Sequence, residues 1–344
     1  MKRDSTKRPE TGGRITNETV AEHRERILAG GRKFKYPMQY TKRRIVIISI
    51  LIVLLSTAGF FLFSGWQLYS VQNTSKFMFG LTQILPAPVA KVEGQWVRYS
   101  DYLLELRSSL HYLVTKEAIN FNSDDGKRQL EYQKRLALNK AIENAYLTKI
   151  ARDQKIRVDT KEVDDFVRIQ INSNRLGVNE DLYKQVIRDY YDWSFEEYKT
   201  SIKKQLLRKK VQAKLDTDAR QKITAIRDQL RQGADFAEVA KTQSEDEATK
   251  QQGGDIGIVT KDADDPHGLI AAANNLQPSQ VSDAIEGVDG FYIVKLIERQ
   301  GENELRLAKI FIAYKYLDKK ISELKQAGQI QEFIKVDDAV RPAT

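Results

Sequence analysis

Nineteen consecutive residues, IVIISILIVLLSTAGFFLF at positions 45–63, constrain this chain more than any other feature. No charged side chain occurs anywhere from 45 to 75. A helix of that run rises about 28 Å, close to the ~30 Å hydrocarbon core of a bilayer. Lys42, Arg43 and Arg44 stand directly before it, and Trp66 and Tyr69 follow it, where interfacial aromatics belong. A cleaved signal peptide has a short basic segment and an apolar core of roughly 7–15 residues. Here 44 residues precede the run and no small-x-small site follows promptly. The pattern therefore predicts a retained single-pass transmembrane helix over 45–65. The basic residues place the N-terminus in the cytoplasm and the bulk of the chain outside.

The charge distribution agrees. Residues 1–44 hold 13 Lys/Arg against 5 Asp/Glu, whereas the other 300 residues hold 43 against 42. The basic character belongs to a tail beside the membrane, so no nucleic-acid partner is expected. The tail composition predicts disorder, with a short amphipathic pattern at 17–28. With no cysteine in the chain, thiol catalysis, disulfides and Cys-based zinc sites are excluded. His23, His111 and His267 are too scattered to suggest a metal site, and no metal or cofactor is expected.

Beyond the anchor, 66–88 read as a juxtamembrane linker ending in Pro86 and Pro88. Two short strand-like runs at 89–92 and 96–97, joined by a Gly turn, lead to Ser100, read as the cap of a helix carrying Leu103, Leu106 and Leu110. Residues 127–215 are helical almost throughout. Leu138, Ile142, Tyr146 and Ile150 repeat along one face, Asp159 with Glu162 form a cap pair, and Ser194-Phe-Glu-Glu197 is a capping box. Lys203, Lys204, Arg208, Lys209 and Lys210 read as a solvated helix face.

The segment VAKVEGQWVRYSDYLLEL, followed by DTKEV and SFEEYKTSIKKQLLRKKV, resembles the helical chaperone domain of SurA/PrsA-type foldases over 89–215, with Glu93 where that family usually has Asn. Further on, GADFAEVAK, S-x-D, GGDIG, LQPSQVS and GFYIVKL follow one another as in a parvulin-type (PpiC) peptidyl-prolyl isomerase. GGDIG lacks the Lys-Ser/Thr of a phosphate loop. The resemblance implies an α+β fold: one transmembrane helix, a helical SurA-N-like domain, and a four-stranded antiparallel parvulin-like sheet with flanking helices. The strand that opens the parvulin domain, R-A-x-H-I-L-V, is missing before the first helix. RLAKIFI at 306–312 fits its pattern and can fold back by a hairpin at Gln300-Gly301. With Arg299 opposite Glu302, Tyr292 would face Lys309. The chain then divides into a cytoplasmic tail (1–44), the membrane helix (45–65), a linker (66–88), the helical domain (89–215), the parvulin-like domain (216–316, first strand from 304–313) and a C-terminal helix and tail (317–344). The last of these also faintly echoes a second parvulin copy.

By the same resemblance the cleft residues are substituted. Tyr292 and Lys309 stand where active parvulins carry histidines, and Asp246 keeps the acidic position. These three are the candidate catalytic group. Leu269, Asn274 and Ile258 are the candidate substrate contacts, with Asn274 replacing an aromatic and Asp265 a methionine. His267 reads as an exposed loop residue near the cleft. Rotation about a prolyl bond faces ~18–20 kcal/mol and needs no covalent step, so an apolar pocket that favours the twisted amide is the central requirement. The expected function is a membrane-anchored extracytoplasmic foldase for unfolded or exported polypeptides. The alternative is a catalytically inactive holdase or scaffold on the same fold.

Overall fold

A computed structural model describes residues 16–35, 37–173 and 179–337. The chain forms two compact units, 1–67 and 68–344. In the first, helix α1 (Asn17–Lys35) precedes α2 (Pro37–Tyr69), whose stretch Lys42–Tyr69 is long and apolar enough to cross a membrane. Helix α1 extends the amphipathic pattern at 17–28 by seven residues. The disorder expected for the rest of the tail is not found at 29–35 and 37–44, which are helical, and residues 1–15 and 36 lie outside the described residues.

The second unit begins with the last turn of α2. Leu68 is buried, the Tyr99 hydroxyl donates to its carbonyl at 2.5 Å, and the Tyr69 hydroxyl donates to the Pro88 carbonyl at 2.7 Å. The supposed linker contains a helix, α3 (Lys76–Ile84). Strands β1 (Pro88–Val92) and β2 (Gln95–Arg98) form a hairpin around Glu93 and Gly94, both with positive φ (43° and 83°). That geometry suits Asn and Gly and strains Glu.

Helix α4 (Tyr99–Thr115) starts two residues earlier than its pattern implied, with Arg98 in the cap position. Ser100 therefore lies inside the first turn, is buried, and does not cap it. Then follow α5 (Asp124–Asp153), α6 (Thr160–Ser173), α7 (Glu180–Tyr191) and α8 (Phe195–Leu215). Both expected cap pairs form: Asp159 with Glu162, and Ser194 with Glu197. The basic face of α8 is not simply solvated. Lys204 pairs with Asp101 of α4 at 2.7 Å, Arg208 with Glu143 of α5 at 2.5 Å, and Lys210 with Glu162 of α6. One carboxylate each from α4, α5 and α6 lies along α8, and its cations meet them.

A second lobe is inserted after α8. It comprises α9 (Thr217–Arg231), α10 (Phe236–Gln243), β3 (Asp255–Thr260), α11 (Leu269–Ala273), β4 (Ile285–Glu286), β5 (Gly290–Gln300) and β6 (Glu304–Ala313). The sheet order is β3-β6-β5-β4, every neighbour antiparallel. Thus β6 takes an interior place between β3 and β5. The hairpin register differs from expectation. The turn holds three residues, 301–303, with Gly301 at φ 71°, and a bulge lies between Leu296 and Glu298. Tyr292 opposes Phe311 and Lys309 opposes Val294, two residues away from the expected pairing. Because strand side chains alternate with period two, an even slip keeps Tyr292 and Lys309 on one face.

Phe291, Ile293, Ala308, Ile310 and Ile312 pack against α9 and α10. On the other face Val294, Leu296, Leu305 and Leu307 pack against Ile270 and Ala273 of α11. The chain then returns to the first lobe. Helix α12 (Tyr316–Gln326) buries Leu317 and Leu324 there, and β7 (Ile330–Glu332) pairs with β1. The echo of a second parvulin copy is thus spent on completing the helical lobe. The tail beyond 337 lies outside the described residues.

Candidate functional site

Helix α11 is short and covers only one end of its sheet face. At the other end Tyr292, Phe311 and Lys309 share the same face, bounded by the loop after α10 and the loop before α11. Backbone contacts fix both walls. The Ser244 hydroxyl accepts from the Phe311 N–H at 3.1 Å, and the Glu245 N–H donates to the Phe311 carbonyl at 2.8 Å, which sets Asp246 beside β6. Gly254, at φ 82°, takes the Lys309 N–H on its carbonyl at 2.8 Å. A Cβ at that glycine would stand 2.3 Å from the Lys309 carbonyl oxygen, so only glycine lets the two backbones approach.

The structure brings together the three candidate catalytic residues. Lys309 Nζ lies 3.2 Å from Asp246 Oδ2 and 5.9 Å from the centre of the Tyr292 ring. Burial works against the Asp246 charge, but the Thr249 hydroxyl and Lys309 outweigh it and hold the carboxyl below its usual range. Tyr292 is 3% exposed, and its hydroxyl donates to Asp289 Oδ1 at 2.8 Å. Burial first, and the Asp289 charge second, push that phenol well above its ordinary pKa, so it stays protonated. The hydroxyl points to Asp289, and the ring is what Tyr292 offers the cleft.

Two contributions were not foreseen: the contact of the cleft-side loop residue His267 with Tyr292, and Phe311. His267 is half-buried; its ring centre lies 4.8 Å from that of Tyr292, and its Nδ1 lies 3.3 Å from the same Asp289 oxygen. Phe311 stacks obliquely on Tyr292 at 4.7 Å. Neither was legible, because His267 comes from a loop and Phe311 enters only with the observed register. The alternation of IFIAY, together with a turn of the right length, would have found Phe311.

The candidate substrate contacts are dispersed. Leu269 is buried at the start of α11. Asn274 is exposed just past its end, with its carbonyl accepting from Arg299 at 2.9 Å. Ile258 opposes Arg306 and is 53% exposed on the sheet face away from Tyr292 and Lys309. The bulge between Asp255 and Gly257 turns Ile258 outward, and Ile256 and Val259 pack towards α11 instead. Asp265 caps α11, its carboxylate accepting from the Leu269 and Ala271 N–H groups at 2.7 and 2.9 Å.

Comparisons with known proteins find two families, one over the membrane helix and the helical segment and one beginning within α8 and running into the second lobe. Residues 38–212 match the SurA-like N-terminal domain family, half of the chain, and residues 204–298 match the PPIC-type PPIASE domain family (Rotamase). The second match ends before β6. The chain is 29% identical to foldase protein PrsA of Streptococcus sanguinis over 51% of its own length and 55% of that protein's. It is 27% identical to foldase protein PrsA of Caldanaerobacter subterraneus over 71% of its length and 87% of the relative's. To chaperone SurA of Methylococcus capsulatus it is 34% identical, over 26% of its length and 19% of the relative's. The match therefore spans little more than half of the first of these and a fifth of the last.

Proposed function

Because the chain belongs to the SurA/PrsA-type parvulin foldases, we propose that it is a membrane-anchored, extracytoplasmic chaperone that holds unfolded segments of exported polypeptides. The helix Lys42–Tyr69 supports the anchor, and Lys42, Arg43 and Arg44 support a cytoplasmic N-terminus. One observation carries the chaperone reading. Helix α7 buries Tyr183 and Ile187 and turns Leu182, Val186 and Tyr190 outward at four-residue intervals, each more than 40% exposed. Ile169 of α6 and Tyr112 of α4 are exposed as well, and Tyr112 lies against Tyr190. Such an apolar stripe, bordered by charges of both signs (Lys116, Glu180, Lys184, Arg188), suits an extended chain of mixed sequence.

In this reading the parvulin-like cleft binds client chain without accelerating its isomerisation. The Tyr292 hydroxyl is engaged by Asp289 and Lys309 by Asp246, so neither polar group is free to follow a rotating amide. The full-length chain in nanodiscs is to be tested in two assays. Aggregation of an unfolded client should be suppressed, and Leu182→Asp with Val186→Asp should abolish suppression. A protease-coupled prolyl-peptide assay should run near the uncatalysed rate. The isomerase reading has its own support in the aromatic lining of Phe311, Tyr292 and His267, against which a prolyl ring can pack. Isomerisation about a hundredfold above background, some 2.7 kcal/mol off the barrier, would establish it instead.

A further inference from the structure

Helix α3 lies in a stretch almost devoid of charge. Between Arg44 and Lys91 the sequence holds one charged side chain, Lys76. Water-facing helices carry charge on their exposed side, as α12 does with Lys319, Glu323 and Lys325. Helix α3 instead exposes Phe77 (66%) and Ile84 (82%), seven positions apart and therefore on one face. Its opposite face is fixed: Met78 and Thr82 are buried, and the Ser75 hydroxyl caps the first turn. The apolar stripe is thus held rigidly outward.

Its position along the chain identifies what covers it. Only residues 70–75 separate the end of α2 from Lys76, a reach of at most about 20 Å. The last turn of α2 belongs to the lobe's own core through Leu68, and Tyr69 meets Tyr99 edge-on at 5.7 Å. Beside α3, Arg98 of β2 donates to the Gln83 carbonyl at 3.2 Å. Trp96, on the same side of β2 as Arg98, is 54% exposed and carries Lys91 Nζ 4.8 Å above its ring. Exposed aliphatic and aromatic side chains flanked by Lys and Arg, with no carboxylate on the helix, have the chemistry of a segment lying in the headgroup layer.

We propose that α3 docks on the surface of the bilayer that α2 crosses, with Phe77 and Ile84 inserted at the boundary of headgroups and acyl chains. Trp96, Lys91 and Arg98 form the adjoining rim. The inference rests on the reading of α2 as a membrane helix.

The absence of cysteine allows a direct test on the full-length chain. Single nitroxide labels are placed through Phe77→Cys, Ile84→Cys, Leu54→Cys in the centre of α2, and Glu302→Cys in the exposed β5–β6 turn. Collision with lipid-soluble oxygen and with a water-soluble nickel chelate is measured in nanodiscs of phosphatidylcholine and phosphatidylglycerol. The oxygen-to-nickel ratio at 77 and 84 should exceed that at 302 several-fold and fall below that at 54. Ratios at 77 and 84 equal to that at 302, with 54 still in lipid, would overturn the docking alone. A water-exposed label at 54 would overturn the anchor and the docking together. Low collision with both reagents at 77 and 84 would assign the stripe to a protein partner and reject the lipid surface.

Discussion

The three-stranded sheet and the four-stranded sheet are each completed by chain that follows the rest of their lobe, but by opposite routes. Strand β6 follows β5 after three residues and inserts into the middle of its sheet, where Leu305, Leu307 and Ile310 are fully buried. Strand β7 returns from the far side of the inserted lobe to the edge of its sheet, where it offers three paired residues, none fully buried. Its hold comes from Leu317 and Leu324 of α12 and from Arg135, whose guanidinium meets Glu332 at 2.7 Å and also donates to the Val336 carbonyl. The nearby segment is fixed mainly by side-chain burial in mid-sheet, with polar contacts added at Phe311 and Lys309. A distant one relies on a few polar fastenings, because its return has already cost the loop-closure entropy of the intervening chain.

The contrast can be broken at either closure. The largest effect is expected from Ile310→Ala: a cavity in the middle of the four-stranded sheet costs about 4 kcal/mol. Denaturant unfolding followed by hydrogen exchange should show protection lost in β3, β5 and β6 and retained in α5. Next, Arg135→Ala leaves a partly buried carboxylate and a carbonyl without their partner, at about 2–3 kcal/mol. Proteolysis beyond 326 should accelerate while the four-stranded sheet keeps its protection. Equal loss in both lobes from either variant would show that they unfold as one unit.

Acidity separates the lobes next. Asp246 is held below the usual carboxylate range, so its contribution is present above an unfolded value of about 3.9 and is lost as pH falls below it. The four-stranded lobe should therefore weaken below about pH 4, and Asp246→Asn should flatten that dependence. Glu105 has the opposite sign. Burial raises its pKa despite Lys140 and Lys204, so its contribution falls as pH rises through its folded value. Glu105→Gln should stabilise the helical lobe at neutral pH and not at pH 4, as lobe-resolved exchange would report. The smallest effect belongs to the β1–β2 turn. Glu93→Asn relieves a left-handed residue and sacrifices the 2.9 Å pair with Lys149, for a net gain of about 0.5 kcal/mol in the melting of the helical lobe.

What the sequence discloses follows the same division between near and far. The α5 stripe, the two cap pairs and the β5–β6 hairpin are local, and their residues name them. The hairpin register missed by two because a bulge and a third turn residue leave no compositional trace, yet the alternation of strand faces preserved the pairing of Lys309 with the Tyr292 side of the sheet. Ile258 went the other way, turned outward by a bulge that GGDIG does not announce. Helix α3 was hidden since it lacks the charged face by which surface helices are recognised. His267 and Asp289 reach Tyr292 from separate loops, and β7 finds β1 across the whole inserted lobe. Such meetings are decided by packing that no window of sequence contains.

One carboxylate sits where the second lobe leaves the first and where it comes back. Asp216 Oδ1 accepts from the Ala219 N–H at 3.0 Å at the head of α9, and Oδ2 accepts from the Lys315 and Tyr316 N–H groups at 2.6 and 2.9 Å. Departure and arrival are therefore stitched at a single residue. The stretch 217–314 thus leaves and rejoins the host lobe at neighbouring points, with one side chain holding the first turn of its opening helix and the backbone that resumes the host lobe.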